Sequence, residues 1–146
     1  GAAQKRFCVN TPATALPAWE LDFGTLSQAQ SGIATRKVKW DPAYQAKHGI
    51  ATGPARDLSP AQQEGLSKLA KRIYRALHMS GYARMDLRMR GDGSLFVLEA
   101  NANPNLTFGE DFAESAEAVG ISYEALLARI VSLGLAYRPE WRLFES

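Results

Sequence analysis

The residues best suited to chemistry lie between Arg84 and Asn101: Arg84 and Asp86 two apart, then Glu99 and Asn101 two apart. Asp86, Glu99 and Asn101 are oxygen donors, two charged and one an amide, with no His or Cys among them. Such a set suits a hard cation such as Mg²⁺, which a few carboxylates hold while water and substrate phosphates complete its shell. Arg84, on the same face as Asp86, could stabilise negative charge developing on a phosphoryl or acyl centre.

That chemistry depends on two strands bringing the residues together. From Tyr82 to Arg90 the hydrophobic period is two, with Ala83, Met85, Leu87 and Met89 on one face and Arg84 and Asp86 on the other. Asp92-Gly93 is a hairpin turn signal, and residues 94–100 form the return strand. A two-residue or four-residue loop sets Asp86 directly across from Glu99 and Arg84 across from Asn101, whereas a three-residue loop shifts the pairing by one. Facing carboxylates repel, so a cation belongs between them. Two readings stay open on pattern alone: a divalent-cation site, or an ion-pair cluster in which Arg84 neutralises both acids.

The strongest local signal precedes the hairpin. Ser59-Pro60-Ala61-Gln62 supplies an N-cap, a proline at the first helical position and a capping-box Gln. Leu66, Leu69, Ala70, Ile73, Tyr74 and Leu77 then form a helical stripe that Gly81 is expected to stop. Upstream, residues 6–9 and 18–23 read as short strands joined by a hairpin or loop, residues 24–32 as a surface loop, and Arg36 to Trp40 as a strand with its lysines alternating outward. Pro42, Gly49, Gly53 and Pro54 leave room for at most a turn of helix between Asp41 and Asp57. Two helices follow the hairpin, one over about Glu110 to Val119 and one capped by Ser122. This order predicts an α+β fold, a mostly antiparallel sheet with helices packed on one face, in a single domain over residues 1–146 with a ten-residue tail from Tyr137.

Composition narrows the function classes. The chain has 146 residues, 46% hydrophobic and 22% charged, which fits one globular domain. No apolar run approaches the ~18 residues of a membrane span. A net charge of +2 argues for neither a nucleic-acid nor a membrane partner. One cysteine, Cys8, makes no internal disulfide and reads as a small buried hydrophobe. His48 and His78 have no metal-ligand spacing, and Trp19, Trp40 and Trp141 read as core or contact residues. The start at Gly1 without Met, the first three residues reading as a possible tag remnant, suggests a piece of a longer cytoplasmic protein.

The run Gly81-Tyr82-Ala83-Arg84-Met85-Asp86, then Asp92-Gly93, then Leu98-Glu99-Ala100-Asn101-Ala102-Asn103-Pro104 resembles the C-terminal signature of ATP-grasp ligases, in the D-alanine–D-alanine ligase-like branch. Gly120-Ile121-Ser122-Tyr123 with Leu126-Leu127 resembles that family's closing helix. The resemblance covers roughly Arg6 to Leu135, and the chain would then be the C-terminal part of an ATP-grasp domain. It implies that Asp86, Glu99 and Asn101 bind two Mg²⁺ ions (Mn²⁺ being an alternative), with Glu99 bridging, and that Arg84 contacts the γ-phosphate and the tetrahedral intermediate. It further implies a phosphate-reaching lysine in a loop ahead of the long helix. Tyr44-Gln45-Ala46-Lys47 resembles that element, which makes Lys47 the first candidate, with Lys39 and Lys37 behind it; a solvated surface charge is the alternative for each. The backbone amide of Asn105 would serve where the family has Gly.

The implied activity is ATP- and Mg²⁺-dependent carboxylate–amine ligation through an acyl-phosphate, on small-molecule substrates, with no side-chain nucleophile required. Two departures accompany the resemblance. Asn105 and Glu110 replace the family's Gly and Ser, and Glu110 would repel a substrate carboxylate, so a D-alanine acceptor does not follow. Nothing matches the family's N-terminal domain or the half that supplies further ATP-binding lysines, so the piece is expected to be inactive alone. Two other functions stay open: a phosphotransferase on the same fold, and a non-catalytic interaction domain that keeps it.

Overall fold

The computed structural model describes residues 4–10 by their backbone, together with residues 13–26 and 34–138. The expected tail beyond 138, most of the loop over residues 24–32, the first three residues and the Cys8 side chain lie outside the described residues.

The architecture is an antiparallel sheet with helices, as the order of elements predicts. Strands β1 (Gln4–Asn10), β2 (Thr14–Ala15), β3 (Trp19–Asp22), β4 (Ala51–Pro54), β5 (Tyr82–Met89) and β6 (Leu95–Asn101) are all paired antiparallel. Their order is β4-β3-β1-β5-β6, with β2 on the end of β1. Helices α1 (Arg36–Trp40), α2 (Pro42–His48), α3 (Pro60–Ala76), α4 (Asp111–Glu117) and α5 (Tyr123–Ala136) complete the order.

Helix α3 begins as its sequence dictates. The Ser59 side chain accepts from the Gln62 N–H and the Gln62 side chain accepts from the Ser59 N–H, a complete capping box behind Pro60. Leu66, Ala70 and Tyr74 then pack on Ala83, Met85 and Leu87 of β5. Each large apolar side chain fully buried this way contributes about 1.5–3 kcal/mol. The helix ends at Ala76, ahead of the expected Gly81. The Met79 N–H reaches the Tyr74 carbonyl and the His78 N–H reaches the Arg75 carbonyl, with His78 at φ 50°. This Schellman closure satisfies the orphan carbonyls without a glycine.

Residues 36–54 differ most from expectation. Arg36–Trp40 is a helix, not a strand, and Pro42–His48 is a seven-residue helix where a single turn was expected. Thr35 and Asp41 decide both: the Thr35 hydroxyl accepts from the Val38 N–H, and the Asp41 carboxylate accepts from the Tyr44 N–H ahead of Pro42. Gly49, at φ 65°, ends α2 and lets Ala51–Pro54 pair with β3. Val38 and Tyr44 pack with Leu21 and Phe23. Through β1, Leu21 shares the register of Arg88 and Trp19 that of Asp86. Helices α1 and α2 therefore flank the sheet face that α3 does not cover. At the far end Phe112, Ala113 and Ala116 of α4 pack with Leu16 and with Leu126 of α5. Along α5, Leu126 is buried and Val131 is exposed.

Candidate active site

The β5–β6 hairpin does what the site requires by a route the sequence does not announce. The Arg90 N–H donates to the Ser94 carbonyl at 2.9 Å and the Gly93 N–H to the Arg90 carbonyl at 3.0 Å, so the loop has three residues, 91–93. Gly93 sits at φ 84°, the left-handed position that such a loop assigns to glycine. Near the turn Met89 pairs with Leu95 and Leu87 with Val97, one out of phase with the expected register. A bulge at Leu98 then restores it, and beyond the bulge Asp86 pairs with Glu99, Met85 with Ala100 and Arg84 with Asn101.

The side chains follow this change of phase. Leu95 and Ala100 join the core under α3, while Phe96 turns to the other face beneath the Arg90 guanidinium, 4.4 Å from its ring centroid. Without the bulge, Glu99 would fall on the α3 side.

Asp86 is 2% exposed. Arg84 holds it with two nitrogens, Nε to Oδ1 at 2.9 Å and Nη2 to Oδ2 at 3.4 Å. Glu99, directly opposite, is exposed, and among the described residues its carboxylate makes no hydrogen bond or ion pair. The Asn101 Oδ1 accepts from the Asn103 N–H at 2.8 Å, which fixes its amide at the strand end. One buried carboxylate, one unengaged carboxylate and an oriented amide oxygen are a donor set that fits a hard cation. Among the described residues there is no group of three or more His, Cys, Asp or Glu that could hold a metal, so a metal here would need the Asn101 amide, water or phosphate as well.

Beside this face lies a cavity of about 420 Å³, lined among others by Val38, Lys39 and Trp40 of α1 and by Arg84, Asn105 and Glu110. Arg84 thus joins the carboxylates to the cavity. The Asn105 side chain folds back, its Oδ1 accepting from the Thr107 N–H at 3.0 Å and the Thr107 hydroxyl at 2.7 Å. Lys39 is half-buried on the wall. Lys47 lies exposed in the last turn of α2 and is not among the lining residues, nor is Lys37.

Trp40, read from the sequence as a core or contact residue, is 72% exposed and lines the cavity, whereas Trp19 is core as expected. The proximity of Lys39 and Trp40 to Arg84 follows from α1 being a helix, and the cap residues Thr35 and Asp41 were the signal for it. His48 has a structural part: Thr25 donates its N–H to the His48 carbonyl at 3.0 Å, and the Thr25 hydroxyl lies 3.3 Å from the His48 Nδ1. No helix among the described residues is long and apolar enough to cross a membrane.

Comparison with known proteins identifies the family. The family model described as "D-ala D-ala ligase C-terminus" matches residues 30–132. The D-alanine–D-alanine ligase of Oleidesulfovibrio alaskensis is 38% identical over 89 residues, covering 58% of this chain and 29% of that protein. The corresponding ligase of Verminephrobacter eiseniae is 33% identical over 125 residues, covering 82% of this chain and 38% of that protein. The crystal structure of D-alanine–D-alanine ligase from Bacillus anthracis complexed with ATP shares the fold, with a TM-score of 0.69 at 23% identity over 92% of this chain and 38% of that one. The chain thus spans less than two fifths of the length of these relatives. With the family model covering well over half of it, and with Arg84, Asp86, Glu99 and Asn101 in register on one sheet face, the chain belongs to the D-alanine–D-alanine ligase family of ATP-grasp ligases, as its C-terminal domain.

Proposed function

We propose that this domain is the metal- and phosphate-binding half of an ATP-dependent carboxylate–amine ligase. In that enzyme ATP phosphorylates a carboxylate, and an amine displaces phosphate from the acyl-phosphate. The observation that carries the reading is the pairing of Asp86 with Glu99 and of Arg84 with Asn101 on the sheet face beside the cavity. Remaining protein outside this chain would supply the rest of the nucleotide cleft, in keeping with the share of each relative that the chain spans.

Asp86, Glu99 and Asn101 would hold Mg²⁺, which when bound clamps the β- and γ-phosphates and offsets their charge. The chain's own residues have distinct parts. Asp86, buried and held by Arg84, is a fixed ligand whose position costs no reordering when the cation arrives. Glu99 is the counterpart, exposed and unengaged among the described residues. Arg84 pairs with Asp86 and lines the cavity, where it can meet an anionic phosphoryl group or the tetrahedral adduct. Lys39, also a lining residue, would bring a second cation to the phosphates, and its place in the lining favours it over Lys47. Asn105, whose backbone amide is the remaining candidate, lines the same cavity.

The test is Glu99→Gln in the full-length protein. It preserves shape and removes the charge, and ATP-dependent phosphate release should fall by orders of magnitude while the fold, followed by circular dichroism, is unchanged. Near-normal turnover would sink the metal assignment.

A further inference from the structure

The cavity wall carries a charge that the proposed phosphate chemistry leaves unused. Glu110 lines the cavity at the residue before α4, and among the described residues its side chain makes neither a cap bond nor an ion pair. Arg84, a cation of the same lining, is engaged by Asp86 at 2.9 Å. Lys39 lines the cavity next to Trp40. The Trp40 side chain is exposed, and an indole attracts an ammonium or guanidinium group. A carboxylate and an indole lining one cavity are together complementary to a cation, and the carboxylate repels another carboxylate.

Resting on the ligase reading above, we infer that Glu110 and Trp40 select the acceptor: an amine that carries a second, cationic group, such as a diamine, in place of an amino acid with a free carboxylate. One amine of such an acceptor is neutral and attacks the acyl carbon, its nitrogen forming the new C–N bond as phosphate leaves with the acyl–oxygen electron pair. The other amine stays protonated against Glu110 and Trp40. The nitrogen that attacks loses one proton to solvent or phosphate, so the step balances with the acyl-phosphate, formed from the carboxylate and ATP, as its only other reactant. Arg84 and Lys39 repel the same cation, so the acceptor does not compete for them with the phosphates and the acyl group. Glu110 and Trp40 act here on specificity, and Arg84 on the reacting atoms.

The experiment measures binding of 1,4-diaminobutane and of D-alanine to the full-length protein by calorimetry, with ATP binding followed in the same samples, for the wild type, Glu110→Gln and Trp40→Leu. Diaminobutane should bind the wild type about tenfold more tightly than D-alanine, and Glu110→Gln should erase that preference. Trp40→Leu, a change on a different element, should weaken diaminobutane about threefold and leave D-alanine unchanged. Equal binding of the two amines by the wild type, or a preference that survives Glu110→Gln, overturns the assignment. A diamine preference that depends on Glu110 in a protein that binds no ATP supports the assignment and overturns the ligase reading alone.

Discussion

Arg84 and Asp86 lie two residues apart on one strand, and the guanidinium of the first engages both oxygens of the second, Nε to Oδ1 at 2.9 Å and Nη2 to Oδ2 at 3.4 Å. The carboxylate is buried, and the arginine side chain is 15% exposed. Burying a charge is costly unless it is paired and hydrogen-bonded, so this contact is a condition for placing a carboxylate there at all.

Arg84→Met should therefore destabilise the domain by about 3 kcal/mol, because the buried carboxylate loses a compensating charge. Adding Asp86→Leu to it should restore most of that loss. Urea unfolding of both variants checks the pair, and a double variant no more stable than the single one would show that Arg84 is not what supports Asp86.

The lysines separate by position. Lys39→Ala in the full-length protein should raise the KM for ATP about tenfold, and Lys47→Ala by much less. Steady-state kinetics at varied ATP decide between them. The reverse order would return the phosphate contact to the Tyr44–Lys47 element that the family resemblance favours.

Gly24, just after β3, packs against the end of α2, the helix that follows the one carrying Lys39 and Trp40. It lies at φ 53°, and a Cβ built there would stand 2.1 Å from the His48 carbonyl oxygen and 2.6 Å from that of Gly49. Neither backbone can yield without moving the end of α2. Gly24→Ala should cost about 2 kcal/mol or more. Hydrogen exchange should show faster opening over α1 and α2 than over α3.

The turn carries a pH dependence. Hydrogen bonds from the Ser94 N–H, at 2.9 Å, and from the Ser94 side chain hold the Asp92 carboxyl below the ordinary aspartate range. Its folded value lies under its unfolded one, so the contribution is present above the unfolded value and fades as the pH falls through the folded value. Protection of the Ser94 amide should decline below about pH 4. Asp92→Asn should remove that decline.

Much of this was legible where signals are local. Ser59, Pro60 and Gln62 announce α3 because a capping box is complete within four residues. The alternation from Tyr82 to Met89 announces β5 because one face must meet that helix. Arg36–Trp40 misleads because lysines on either side of Val38 fit a strand as well as a five-residue helix. Only the caps at Thr35 and Asp41 distinguish the two. The cavity is a product of long-range packing, so the nearness of Lys39 and Trp40 to Arg84 and Glu110 could not be read from spacing. The Asp86–Glu99 pairing was legible for an incomplete reason, since the loop has three residues and the strand has a bulge.

Those two irregularities cancel, and Leu98 is where they do so. With Arg90 paired to Ser94 and no bulge, Asp86 would face Leu98 and Glu99 would face Met85; the one extra residue at Leu98 is what moves Glu99 opposite Asp86. Which face of the sheet Glu99 occupies is thus set by the parity of the hairpin: the pairing of Arg90 with Ser94 together with the single extra residue at Leu98.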